Sequence, residues 1–176
     1  MTIITNPRPF GIRIAQTWQQ IGLLFEMIEE HEVDTVVEVG VFLGGLAEML
    51  LIRQEHVVGF HYFGVERDTD QLYPRILARP EVLIRDAWEW STVEEVGKLI
   101  NQWSGHALIY VDGGDKPREM TMYATILRPG DVMLAHDYPG ETTRKSLIKF
   151  AQDFPYMREI NPTDFREAGV SFWERI

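Results

Sequence analysis

The sequence predicts an α/β fold: a Rossmann-like seven-stranded sheet, five parallel βα units closed by a terminal antiparallel strand pair, with helices on both faces. Three observations predict it. Apolar runs such as DTVVEVGV (34–41) and ALIYVD (107–112) are β-branched and nearly uninterrupted, as strands buried on both faces are. Segments with apolar residues at spacings of three and four alternate with these runs, and strands joined by helices make a parallel sheet. The last two strand-like runs, PYMREI (155–160) and VSFWERI (170–176), are separated by a short polar segment with little room for a helix, which indicates an antiparallel pair.

Taken in order, residues 12–30 place Ile14, Trp18, Ile21, Leu24, Phe25 and Ile28 on one helical face. DTVVEVGV is the first strand, GLAEMLLIR (45–53) the next helix and VVGFHYFGVE (57–66) the second strand. A turn signal at Asp68-Thr69-Asp70 precedes a short helix broken near Pro74, and VLIRD (82–86) is the third strand. Ser91-Thr92-Val93-Glu94 has the capping-box pattern, in which serine and glutamate satisfy free amides at a helix start, so a helix should run from there to about Gln102. ALIYVD, a helix over 117–127, the stop RPG (128–130), the strand DVMLAHD (131–137) and a helix over 142–150 complete the βα units. No repeat or linker interrupts the chain, so residues 1–176 are expected to form a single domain, with an N-terminal helix within 1–32 as the candidate lid.

Composition excludes several function classes. The net charge of −10 and the absence of any basic run longer than Arg144-Lys145 argue against nucleic acid as a partner, because phosphate neutralisation needs a clustered Lys/Arg face. Without cysteine there is no disulfide, thiolate metal site or thiol nucleophile. The opening MTIITNPRPF lacks the apolar core of a secretory leader, and no apolar window approaches the roughly 18–20 residues of a membrane helix, so a cytoplasmic protein with no membrane partner is expected. A homo-oligomer is left open.

The chemistry concentrates at the first strand-to-helix junction, where Glu38, Gly40, Gly44 and Gly45 form E-x-G-x-x-x-G-G. Glycines there let the chain turn tightly and let a ligand approach main-chain amides. The spacing lacks the G-x-G-x-x-G of a pyrophosphate cradle, and no Tyr-x-x-x-Lys pair is present, which disfavours a nicotinamide oxidoreductase. Glu66 ends the second strand, where a carboxylate can accept from adjacent ribose hydroxyls. Asp86 ends the third, where it can accept from an adenine amino group while Ala87 or Trp88 covers the base. Each acid also has a plain reading as a turn or cap residue.

The succession EVGVFLGG, GVERD, RDAW, VDGG and AHDY resembles the class I S-adenosylmethionine (SAM)-dependent methyltransferases. VDGGDKPREM followed by LRPGDVMLAHDY resembles their cephalosporin-hydroxylase-like and macrolide O-methyltransferase-like branch. The resemblance spans about residues 33–137. It implies that Glu38, Gly40, Val41, Phe42, Gly44 and Gly45 face the methionine part of the cofactor, Glu66 and Arg67 the ribose, and Asp86, Ala87 and Trp88 the adenine, with Asp112 beside them.

It also places Asp112 and Asp137 at the ends of neighbouring strands, about 4.8 Å apart, within reach of one Mg²⁺ ion with His136 as a third ligand. Metal-binding relatives show an acidic pair where this chain has His136-Asp137, and imidazole suits Mg²⁺ less well than carboxylate. Asp112 reads equally as a cofactor contact or turn cap. Lys116 and His136 are the candidate general bases, with Lys116 alternatively holding an anionic substrate and His136 alternatively a wall residue. Asp115 and Pro117 look like the start of a helix. Trp88, Trp90 and Trp103 could line an acceptor pocket or belong to the core, and His31, His56, His61 and His106 carry no assigned role. The expected function is methyl transfer to a small-molecule or sugar hydroxyl, with a cofactor-binding module that supports a partner enzyme as the alternative.

Overall fold

The computed structural model describes residues 11–176, so the expectation for the opening ten residues lies outside the described residues. The strands are β1 (Val33–Val39), β2 (His61–Glu66), β3 (Val82–Ile84), β4 (His106–Val111), β5 (Val132–Ala135), β6 (Met157–Glu159) and β7 (Ser171–Arg175). They make one seven-stranded sheet in the order β3-β2-β1-β4-β5-β7-β6. The first five pair in parallel, and β7 runs antiparallel between β5 and β6. The helices are α1 (Trp18–Glu30), α2 (Gly45–His56), α3 (Pro74–Leu77), α4 (Trp90–Ile100), α5 (Lys116–Tyr123), α6 (Arg144–Asp153) and α7 (Pro162–Glu167).

Alternation along the strands divides the core between the two faces of the sheet. Val36, Leu108 and Leu134 pack with residues of α1, α2 and α7, whereas Val37, Ile109 and Met133 pack with α4, α5 and α6. Burying a branched side chain of this kind stabilises by about 1.5–3 kcal/mol, and a one-residue slip would exchange the faces, so the register is held and the strand ends are positioned with it.

Several local expectations are corrected. α1 starts at Trp18, not near residue 12, because Thr17 and Gln20 form a capping box: the Thr17 hydroxyl accepts from the Gln20 amide at 3.3 Å and the Gln20 side chain from the Thr17 amide at 2.8 Å. Before it Ile12, Ile14 and Gln16 are buried with exposed neighbours between them, a period of two, and Trp18 is 60% exposed rather than on the apolar face. The Ser91 box does not form. Glu89 holds the N-cap position of α4, and the Asp86 carbonyl and carboxylate already turn the chain by binding the Glu89 and Trp88 amides at 3.2 and 2.9 Å. Val57 and Val58 precede β2 as exposed turn residues. α5 begins at Lys116, where Asp115 caps it, and ends at Tyr123 rather than Leu127. The segment between β6 and β7 does hold a helix, α7, entered through Asn161 at φ +42° and anchored by buried Phe165.

Candidate active site

Strand order reverses between β1 and β4, where connections diverge to opposite sides and leave a crevice beyond the carboxyl ends. The glycine turn lies on that rim. Gly40 follows β1 at φ +92°, and a Cβ there would lie 2.6 Å from the Asp112 carbonyl oxygen and the Gly113 nitrogen. Gly44 caps α2 at φ +87°, with the Ile76 side chain 2.8 Å from where its Cβ would be, and a Cβ on Gly45 would strike the Arg13 carbonyl. Between them Val41 is buried and Phe42 is held at φ +53°, an unusual conformation for an aromatic residue, by its amide donating to Glu66 at 2.8 Å.

Three adjoining cavities form the crevice. One of about 90 Å³ is bordered by Gly40, Glu66, Arg67, Asp86, Ala87 and Trp88 together with Gly113, Gly114 and Glu119. A second, about 640 Å³, shares Gly40, Glu66, Gly113 and Gly114 with it and extends to Asp112, Lys116, His136, Asp137 and Glu141. A small third cavity brings in Glu38, Gly44, Gly45 and Gln16, and shares Phe42 and Asp112 with the second. Glu38, Glu66 and Asp86, far apart in the chain, therefore border adjoining cavities that share wall residues. Arg13, Ala15 and Gln16 border them as well, so it is the extended run before α1 that flanks the crevice, while α1 packs into the core through Ile21, Leu24, Met27 and Ile28.

The acids of the rim retain acceptor capacity. Glu66 takes one amide on each oxygen, Phe42 on Oε2 and Asp68 on Oε1, each at 2.8 Å, which leaves a lone pair on each. Asp86 accepts from the Trp88 amide on Oδ1 and has the Arg67 guanidinium 3.5 Å from Oδ2. Glu38 is 1% exposed and accepts the Tyr62 hydroxyl at 2.6 Å. Burial pushes its pKa well above the ordinary carboxylate range, and the Tyr62 hydrogen bond offsets only part of that.

Glu119 was not visible as a site residue. Its buried carboxylate accepts from the Trp88 indole at 3.0 Å, from the Gly113 amide at 3.1 Å and from the Asp115 amide at 3.3 Å, so it ties Trp88 to the Gly-Gly turn. A carboxylate in the first turn of a helix that follows two glycines is the signal, since free amides gather there. Gln16 is the second such residue, with its side-chain amide donating to Asp112 Oδ2. Trp90 and Trp103 do not border the crevice: Trp90 is exposed and Trp103 stacks on His61 with ring centroids 3.5 Å apart.

At the ends of β4 and β5 the charged groups meet. Asp112 Oδ1 lies 2.9 Å from His136 Nδ1, which is also 3.2 Å from Asp137 Oδ1. The Lys116 ammonium lies 3.0 Å from Asp137, 2.7 Å from Glu141 and 3.7 Å from Asp112, and donates to the Gly113 carbonyl at 2.7 Å. Burial lowers the Lys116 pKa, but the Glu141 hydrogen bond and the Asp112 and Asp137 charges outweigh it, leaving the group above its ordinary value and charged. Burial also pulls His136 down, and its hydrogen bond to Asp112 with the two aspartate charges more than restores it. Asp112 is raised, because burial exceeds the help from His136 and Lys116. Asp137 itself sits at φ +61°, a strained backbone of the kind functional sites hold. Donor atoms of Asp112, His136 and Asp137 lie within 4.8 Å of one another, a spacing that fits one small divalent ion.

No protein-family model matches the chain, and no curated protein matches it. Solved structures do. CmcI in its Mg-SAM form superposes with a TM-score of 0.74 at 16% identity, covering 99% of this chain and 78% of that one. The MycE methyltransferase from the mycinamycin biosynthetic pathway, in complex with Mg and SAH, gives 0.58 at 13% identity, covering 92% of this chain and 50% of that one. A S-adenosyl-L-methionine methyl transferase from Silicibacter pomeroyi DSS-3 gives 0.55 at 16% identity, with 90% and 91% covered. Among the described residues no helix is long and apolar enough to cross a membrane. The chain has the seven-stranded fold of the class I SAM-dependent methyltransferases, in the form these structures share.

Proposed function

We propose that the protein is a SAM-dependent methyltransferase that transfers a methyl group to a hydroxyl of a small molecule or sugar. One observation carries the reading: Glu38, the glycine turn, Glu66 and Asp86 border a single crevice at the strand-order switch point, where sheets of this type bind ligands. CmcI in its Mg-SAM form and the MycE methyltransferase with Mg and SAH share the fold, which supports the same cofactors here.

In this reading Glu66 accepts from the ribose hydroxyls through its two remaining lone pairs, and Asp86 accepts from the adenine amino group beside the Trp88 wall. Glu119 keeps that wall and the Gly113 amide in place. Gly40, Gly44 and Gly45 allow the methionine end to approach the backbone where any side chain would collide. SAM supplies an electrophilic sulfonium methyl group when bound. The 640 Å³ cavity beside His136 has room for an acceptor.

Without a bound metal, His136 is the base that removes the hydroxyl proton. Its Nδ1 is engaged by Asp112, which fixes the ring orientation and stabilises the imidazolium formed. Lys116 stays charged among its carboxylates and so acts as a positive anchor rather than as a base. When a Mg²⁺ ion is bound, Asp112, His136 and Asp137 would hold it, and the ion would lower the pKa of the acceptor hydroxyl in place of the proton transfer to His136. Incubation with methyl-labelled SAM and a broad panel of hydroxylated acceptors, with and without Mg²⁺, tests the activity. The expected outcome is a labelled methyl ether; cofactor binding without any labelled product would instead favour a binding module.

A further inference from the structure

We propose that the Lys116 ammonium is a tethered competitor for the divalent-cation position formed by Asp112, His136 and Asp137, so that a metal ion enters only by displacing it. The inference rests on the function proposed above and concerns how that site takes its ion.

Lys116 is an unexpected residue where it stands. It is the first residue of α5, where the helix dipole is positive and a cation is disfavoured, and its side chain is only 5% exposed. A buried ammonium at a helix N-terminus persists only if stronger attractions hold it. Those attractions come from the Asp137, Glu141 and Asp112 carboxylates at 3.0, 2.7 and 3.7 Å and the Gly113 carbonyl at 2.7 Å. Asp112 and Asp137 are also two of the three candidate metal ligands, whose donor atoms lie within 4.8 Å of one another. An ammonium 3.0 Å from Asp137 Oδ2 uses a lone pair that an ion at the same point would use. It also adds a like charge within a few ångströms of a dication.

The arrangement supplies the place to which the ammonium withdraws. Glu141 is more than half exposed and Lys116 contacts it more closely than either aspartate, so the ammonium can keep Glu141 and the Gly113 carbonyl while releasing Asp112 and Asp137. Without metal the ammonium offsets part of the negative charge of the three carboxylates. With metal the tether moves toward the rim. The consequence is a weak divalent-cation affinity set by Lys116.

The test is Mn²⁺ titration, by electron paramagnetic resonance, of the purified full chain and of Lys116→Met and Lys116→Gln, with folding checked by circular dichroism. Removing the competing charge should tighten Mn²⁺ binding in both variants by roughly tenfold or more, since tenfold corresponds to only about 1.4 kcal/mol. Adding Asp137→Asn to Lys116→Met should abolish the gain, which locates it at this cluster. On the wild-type chain, with lysine Cε isotopically labelled, the Lys116 signal should shift saturably as Mg²⁺ is added. Unchanged or weaker Mn²⁺ binding in folded variants overturns the proposal, as does no binding by any of the proteins or a Lys116 signal that stays fixed while Mg²⁺ binds. SAM titration of the same samples reads the underlying function separately: bound cofactor with no metal competition rejects only the tether, whereas no cofactor binding rejects the methyltransferase reading.

Discussion

The two ends of the same parallel strands use similar charged residues for different ends. Before β5, Asp131 is fully buried and all its capacity is spent: it accepts the Ala107 amide at 2.8 Å, the Arg128 amide at 2.7 Å and the Arg128 guanidinium at 3.0 Å. Arg128 in turn donates to the Trp103 and Gly105 carbonyls, and Asp34 accepts the Gly105 amide. After β4 and β5, Asp112, Lys116, His136 and Asp137 are just as closely paired but border a cavity of about 640 Å³. The difference is in what the unspent lone pairs and protons face. A closed cluster fixes a loop, and an open one can receive a ligand.

Breaking the closed end should have the largest effect. Asp131→Ala leaves the Arg128 guanidinium and two amides without their acceptor, and is expected to lower unfolding free energy by about 3–5 kcal/mol, the usual cost of removing one partner of a buried pair. Chemical denaturation measures this, and SAM affinity of the folded fraction should be unchanged. A stability loss below about 1 kcal/mol would mean the two ends do not differ in the way described.

At the open end the same operation should act on binding. Glu66→Ala is expected to weaken SAM by roughly 1–3 kcal/mol, the range for losing charge-assisted hydrogen bonds, with little change in the denaturation midpoint. Calorimetry on the variant decides it, and an unaltered affinity would remove Glu66 from cofactor recognition.

The smallest expected effect is a displacement in pH. With chelator present, activity should rise with pH as His136 loses its proton, and because the Asp112 and Asp137 charges outweigh burial, that rise should centre above the ordinary histidine value of about 6.5. The sign for stability is the matching one: protonated His136 favours the folded state below its unfolded pKa, and that contribution is lost as pH rises through the raised folded value. Asp112→Asn should move the rate limb toward lower pH. A limb that does not move excludes His136 as the base.

The sheet was legible because β-branched runs and helical spacings report burial directly, and the strand-end acids were legible because each closes such a run. Element boundaries decided by which of several competing local hydrogen bonds forms, and site contacts between distant segments, were not. Ser91 has the capping pattern, yet Asp86 turns the chain first, and Ile14, Trp18 and Ile21 fit a helical spacing although Thr17 and Gln20 start the helix later. Glu119 and Gln16 entered the site only in three dimensions, because their partners Trp88, Gly113 and Asp112 lie on other segments. Lys116 was visible as a residue of interest, but its charge state depends on Glu141 and Asp137, brought to it by the fold.

The most direct measurement is calorimetric titration of the purified, folded chain with SAM. Saturable binding of one molecule per chain is expected, abolished or weakened when Gly40 is replaced by a larger residue that would meet the Asp112 backbone. A folded protein that takes up no SAM would contradict the account at its centre, since the crevice would then have no nucleoside to hold.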